Sequence, residues 1–358
     1  MAFFEHGRKE AHVIIRPTDT GSTFALQLEN VLNAQAELQT ELGPEMEPVF
    51  KRYYLSDATN QTQLLPCDDN CAVSVIQQAP LDGTKIALLT IFQFQAGFTC
   101  TDSGLWKNQR GQIWLGHGNC APADSETMTT ACLENFNNEL EKLGASLKDN
   151  CIRTWFFVRD VDNNYKGVVR GRNNVFNRLG LTPDTHFIAS TGIEGRDGIT
   201  SSTVAFNACA DTSLRSGQTT YLYGTSHLNP TYEYGVAFER GTAIDYADRR
   251  NVFISGTASI DNKGNIMHPG DIGAQTHRML ENIGVLLDEA ECRWNDVAHL
   301  IVYVRDTADY TVVNRIFSRQ LPGVPRVVTL APVCRPGWLV ETECMAIRKA
   351  SHPEYAPF

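Results

Sequence analysis

The chain has 358 residues, 42% of them hydrophobic and 20% charged, with a formal net charge of −10. That much apolar material buries a substantial core and points to a globular protein of two domains. The negative balance has no lysine-arginine stripe, which argues against a nucleic-acid partner, and no apolar run approaches the length needed to span a bilayer. The opening MAFFEHGRKEAHV has no signal-peptide core, so a cytoplasmic location without membrane attachment is expected. Ten cysteines fit reduced thiols, and the close pair Cys67 and Cys71 has no second pair or histidine cluster at zinc-like spacing. No metal and no cofactor are expected. Asn60-Gln61-Thr62 matches a glycosylation acceptor, which a cytoplasmic chain would not use.

In chain order, residues 1–48 open with a mixed stretch and then a helical pattern from Phe24, with apolar residues returning at three and four positions. Strand-like runs follow at Val49 to Leu55, Cys71 to Ile76 and Lys85 to Phe92, the last preceded by a turn at Pro80 to Gly83. Residues 133–160 and 280–306 then say the same thing twice. Both open on Leu-Glu-Asn, at 133 and 280, and both close on Val-Arg-Asp, at 158 and 304. Each copy reads as an amphipathic helix, a strand, Arg-Asp and a second helix, the pattern of an α+β domain with helices packed on a sheet. The expected division is an N-terminal extension over 1–48, a first domain over 49–215 and a second over 216–358.

Between the copies, Tyr232, Tyr234 and Arg240 read either as an edge strand with its usual aromatics or as the lining of a pocket for an anionic ring. Gly192 to Gly198 is a weak candidate phosphate loop, since no helix-opening pattern follows it. A strand from Asn251 runs into a turn at Asp261 to Gly264, and Asp271 is placed to cap a helix that presents Ile272, Gln275, Met279, Ile283 and Leu286 on one face.

The last stretch, Pro325 to Lys349, predicts a strand from Arg326 to Leu330, a turn at Cys334 to Gly337 and a second strand from Trp338 to Ile347. Strand alternation puts Glu341 and Glu343 on the same face as Leu339, Met345 and Ile347. Those carboxylates are either solvated and paired with Arg326 or Arg335, or form a site in which an arginine holds a substrate carboxylate and a desolvated glutamate handles a proton. Placing Pro183 on Pro322 sets Phe187 opposite Arg326 and Ser202 opposite Glu341, so the first copy lacks both groups. The second copy is therefore expected to carry the working site.

Ile254-Ser-Gly-Thr-Ala-Ser-Ile, Ala274-Gln-Thr, Glu281-Asn-Ile, Tyr303-Val-Arg-Asp, Pro325-Arg326 and Glu341-Thr-Glu together resemble the Rid/YjgF superfamily over residues 250–349. That resemblance implies a carboxylate-binding role for Arg326, an acid/base role for Glu341 and a homotrimer. The full length is similar to the two-domain chorismatase branch, through Lys51-Arg-Tyr-Tyr-Leu-Ser-Asp, Gln78-Ala-Pro-Leu-Asp-Gly-Thr-Lys and Ala331-Pro-Val-Cys-Arg-Pro-Gly-Trp-Leu-Val-Glu. It implies an α+β fold of tandem Rid-like domains, each a mixed sheet with helices on one face. The implied activity cleaves the enol ether of chorismate, a small anionic metabolite, and releases pyruvate.

By the same resemblance Glu341 is the catalytic acid, and Cys334 holds the position that separates members yielding a hydroxybenzoate from those yielding a diol; a cysteine there points to 3-hydroxybenzoate. Arg240 or Arg335 is the candidate for a second carboxylate, and Glu343 shares the proton or pairs with an arginine. The run containing Tyr232, Tyr234 and Arg240 only approximates the chorismatase pattern, which leaves room for another carboxylate substrate. Two further readings stay open: deamination of 2-imino or enamine acids, and a ligand-binding protein with an idle pocket.

Overall fold

The computed structural model describes residues 1–67, 70–118 and 120–358; Asp68 and Asp69, inside the Cys67–Cys71 spacing, lie outside the described residues. Three mixed sheets, not two, carry the chain. The first unit holds β1 (Ala2–Phe4), β2 (Glu10–Ile15), α1 (Phe24–Leu42), β3 (Met46–Leu55), α2 (Ala58–Gln61), β4 (Ala72–Gln77) and β5 (Ile86–Phe94). The second holds β6 (Thr99–Cys100), β7 (Trp106–Lys107), β8 (Gln112–Leu115), α3 (Ser125–Lys142), α4 (Leu147–Asn150), β9 (Cys151–Val158), α5 (Val161–Arg178), β10 (Ala189–Glu194) and β11 (Val204–Asp211). The third holds β12 (Thr219–Leu222), β13 (Gly241–Asp245), β14 (Arg249–Ala258), α6 (Ile272–Glu289), β15 (Val297–Val304), α7 (Tyr310–Gln320), β16 (Arg326–Leu330) and β17 (Val340–Lys349).

The three sheets follow one plan: β1-β2-β5-β3-β4, β6-β7-β8-β11-β9-β10 and β12-β13-β14-β17-β15-β16. In each, a central strand pairs antiparallel with the last strand of its unit and parallel with an edge strand reached through a helix. The α+β expectation of tandem helix-on-sheet units is met, and the sheet count is the addition. The boundary expected at residue 48 falls inside β3, and residues 1–48 supply two strands and the long helix of the first sheet. Residues 49–215 are divided between two sheets. The first copy escapes sequence comparison because its crossover helix, α2, is a single turn, whereas α5 and α7 run for 18 and 11 residues.

Local signals account for the elements. Asp271 accepts a hydrogen bond from the Ala274 amide at 2.9 Å, capping α6, whose buried face carries Gln275, Met279, Ile283 and Leu286. The inner faces of all three sheets meet in one core in which Phe50, Trp114 and Trp155 stack at 4.7–6.5 Å.

Backbone bonds close the three units into a ring. The Gln77 amide donates to the Arg196 carbonyl (2.7 Å), the Glu194 amide to the Pro332 carbonyl (3.1 Å) and the Leu330 amide to the Ala79 carbonyl (2.8 Å). The Gly192 to Gly198 stretch is thus the end of β10 and a seam against the first unit, not a phosphate loop. At the centre Glu343 takes Arg153 Nη2 at 2.9 Å, Trp155 Nε1 at 2.9 Å, Thr191 Oγ1 at 2.6 Å and Arg52 Nη1 at 3.6 Å, so one carboxylate of the third unit binds charges from the other two.

Candidate active site

Because the units are alike, their interfaces are alike. β10 of the second unit leans on β14 of the third and β4 of the first on β8 of the second, while the third unit meets the first through β15 against β1 and β2, so each pair of units shares a cleft. The central strands align through Leu55-Ser-Asp, Val158-Arg-Asp and Val304-Arg-Asp. In that alignment Glu341, opposite Tyr303, corresponds to Ala205 opposite Phe157 and to Ala87 opposite Tyr54. Arg326, opposite Leu300, corresponds to Ser190 and Val73. The sequence registration on Pro183 is therefore three residues out at both positions, because the segments from helix to edge strand differ in length. Its conclusion that the earlier copy lacks both groups stands.

Glu341 lies in the cleft between the second and third units. Its lining comes from both sides: Tyr165, Arg172, Ser190 and Gly192 from the second unit, and Tyr234, Phe238, Arg240, Gly256, Cys334, Arg335 and Trp338 from the third. The seam is stitched by the Ser190 amide on Ser255 Oγ (2.8 Å), the Gly256 amide on Thr191 Oγ1 (3.0 Å) and the Phe187 amide on Glu239 Oε1 (2.8 Å). Gly256 leaves the space the acid occupies, since a Cβ there would lie 2.1 Å from Glu341 Oε1.

Both glutamates of β17 are buried, which rules out the solvated-face reading: Glu341 is 4% exposed and Glu343 3%. They divide the work. Glu343 is locked in the central ion pairs behind the pocket wall and does not line the cavity. Burial, and then the neighbouring charge of Glu343, push the Glu341 carboxyl up to about 8, more than Arg153 and Arg240 pull it down. At neutral pH this group holds its proton. Cys334 lies between Tyr165 and Glu341, and burial followed by the Glu341 charge pushes its thiol up to about 12, so it is no thiolate nucleophile.

Three guanidinium groups face the acid. Arg240 donates to the Asn229 carbonyl at 2.9 Å and lies 5.5 Å from the Tyr234 and Phe238 ring centroids. Arg335 sits between Tyr234 (4.5 Å) and Trp338 (4.9 Å). Arg172, on α5, is 1% exposed, and its Nε and Nη2 have no hydrogen-bond partner among the described residues. A buried cation with two unmet donors is costly unless an anion meets it. Sequence reasoning missed Arg172 and Tyr165, which sit on a helix of the copy not expected to carry the working site; no local signal marks them.

Of the other expected residues, Tyr234, Arg240, Arg335 and Cys334 converge on Glu341, whereas Arg326 and Tyr232 do not. Arg326 faces the next cleft, where its guanidinium donates to the Leu321 carbonyl (3.2 Å) and Ser318 Oγ (2.7 Å). The position it would fill beside Glu341 is held by Ser190. Tyr232 is 48% exposed on the outer side of its turn. The enclosed space is about 30 Å3, room for one water.

Residues 242–348 match the endoribonuclease L-PSP family. That match falls within the third unit. The whole chain superposes on the crystal structure of a chorismatase with a TM-score of 0.71, covering 97% of this chain and 99% of that one at 18% identity, a likeness of fold. RidA from the Antarctic bacterium Psychrobacter sp. (22% identity, TM-score 0.29) and a YjgF-family member from Mycobacterium tuberculosis (23%, 0.29) each cover 36% of this chain and 98% of their own length. Glu341 thus lies within the matched stretch, and the second unit of the same chain supplies the other side of its pocket.

Proposed function

We propose that the protein cleaves the enol ether of chorismate, or of a similar small dicarboxylate, and releases pyruvate. The observation that carries the reading is a carboxyl kept protonated at neutral pH in a pocket whose other charges are three arginines. Enol ethers react by protonation of their terminal carbon, and the Glu341 O–H supplies that proton. The bond pair of the C=C takes the proton, leaving an oxocarbenium centre on the carbon that carries the ether oxygen and the carboxylate.

Arg172, with its unmet donors, pairs with one carboxylate, and Arg240 or Arg335 with the other. Capture of the cation by water gives a hemiketal. Its collapse releases pyruvate and the ring alcohol, and Glu341 regains its proton. The alternative product, 3-hydroxybenzoate, has together with pyruvate the composition of chorismate, so that course consumes no net water. Cys334, between Tyr165 and Glu341, is the residue to test for this choice.

Imine deamination loses ground because the arginine that the Rid resemblance assigns to it, Arg326, faces a different cleft. The deciding experiment is coupled detection of pyruvate from chorismate with the native protein and with Glu341→Gln. Release by the native chain and loss in the variant supports the reading. No release from folded native protein overturns it, and tight chorismate binding without release would instead favour the ligand-binding reading.

A further inference from the structure

Two of the ten cysteines meet inside the second unit, and neither lines the candidate active site. Cys120 follows β8 and Cys132 lies in the middle of α3; their Sγ atoms are 2.7 Å apart, closer than two unbonded sulfurs ordinarily rest. The surrounding frame puts them there. The Gly118 amide donates to the Phe206 carbonyl (2.8 Å) and Thr203 Oγ1 donates to the Ala123 carbonyl (2.8 Å), which fixes the chain on both sides of Cys120. Asp124 then caps α3 by accepting from the Glu126 and Thr127 amides, each at 3.0 Å, and so sets where the helix begins. From that start Cys132 falls on the buried face with Met128 and Phe136. The two thiols are unequal. The Cys132 S–H donates to Cys120 and holds the Cys120 thiol below its ordinary value, while the same bond and then burial push Cys132 up. Cys120 is partly exposed, and Cys132 lines a cavity of about 360 Å3 with Leu105, Leu115 and Phe136, so a small oxidant can reach the pair.

We infer that Cys120 and Cys132 form a reversible modification site, oxidised to an intramolecular disulfide by hydrogen peroxide and restored by a dithiol. The Cys120 sulfur attacks the peroxide: an S–O bond forms, the O–O bond breaks, and the leaving hydroxide departs as water with the Cys120 proton. The Cys132 sulfur then attacks the Cys120 sulfenic acid; the S–S bond forms, the S–O bond breaks, and a second water carries off the Cys132 proton. Two thiols are oxidised and one peroxide is reduced to two waters. The bond ties the segment after β8 to α3. α5 lies directly against α3, since a Cβ at Gly171 would stand 2.6 Å from the Glu126 carbonyl oxygen. Oxidation therefore staples the helix layer that carries Tyr165 and Arg172, whatever reaction the pocket performs.

The test treats the native full chain with hydrogen peroxide, blocks the remaining thiols with iodoacetamide in denaturant and digests with trypsin. Residues 111–142 form one tryptic peptide that holds both cysteines and no other. After oxidation it should be about 2 Da lighter than the reduced peptide and carry no alkyl group, and dithiothreitol should return it to the doubly alkylated form. Cys132→Ser should stop Cys120 at the sulfenic acid, which dimedone traps. The oxidised native protein should unfold about 5 °C above the reduced one, and Cys132→Ser should show no such rise. The inference is overturned if both thiols of 111–142 stay alkylatable at a peroxide dose that already oxidises the exposed Cys100, or if either one links to a different cysteine. An oxidised pair that leaves the thermal midpoint unchanged overturns the stapling.

Discussion

The cleft between the second and third units and the cleft between the third and first are made from the same strands in the same order, yet one holds a protonated acid and the other two arginines. The exchange needs only three positions: Glu341 against Ala87, Ser190 against Arg326 and Ala258 against Arg16. The third cleft, between the first and second units, is shut, since any Cβ at Gly116 would lie 2.3 Å from the Val73 carbonyl oxygen. A ring of three like units thus offers three chances to build a pocket, and chemistry is decided by which side chains stand at a few equivalent places. The backbone plan is permissive; desolvation and charge discriminate.

The strongest way to break the contrast is Glu341→Gln, which should lower pyruvate release about a thousandfold, within the usual worth of a general acid. The same variant tests the pKa. The folded carboxyl sits at about 8 against an ordinary 4.5, so between those values the unfolded chain releases a proton that the folded chain keeps. That group's contribution to stability is full below 4.5, declines as pH rises through the window and is flat above about 8. Denaturation at several pH values should show this slope in the native protein and its absence in the variant.

Glu343→Gln attacks the centre that all three units share. It leaves Arg52 and Arg153 buried without their carboxylate and should cost about 3 kcal/mol in urea unfolding, in line with breaking a buried ion pair. Because the Glu343 charge helps to raise Glu341, any activity that survives should fall off at a lower pH than in the native protein.

Gly256→Ala drives a methyl group into the Glu341 carboxylate. It should reduce kcat by about a hundredfold through misplacement of the acid, with a much smaller change in thermal midpoint. In the native protein the pH profile of kcat/KM should descend above about 8, as Glu341 loses its proton. Tyr232→Phe is the smallest change: the side chain points away from the pocket, and turnover should stay within about twofold of native. A light-scattering mass near 39.8 kDa would fit a ring whose interfaces are all used within one chain.

The later two units and the acid are legible in the sequence because their signals are local. Paired Leu-Glu-Asn and Val-Arg-Asp triplets, the helix period and strand alternation mark out α3, β9, α6, β15 and β17 along the chain. Alternation also puts Glu341 on a face with apolar neighbours, the condition for its raised pKa. The first unit is not legible as a copy, since a one-turn α2 leaves no helical period to compare.

Partnership between residues lies beyond the sequence. Arg326 and Glu341 sit fifteen positions apart in one domain, and only the ring closure sends them into different clefts while bringing Arg172 from 169 positions upstream to face the acid. Sequence alone determined which segments become helix or strand and which side chains each strand turns inward, because those depend on periods of two and 3.6 residues. Tertiary structure decided which inward faces meet, and with that which carboxylate is desolvated and kept as an acid and which is paired and kept as a charge.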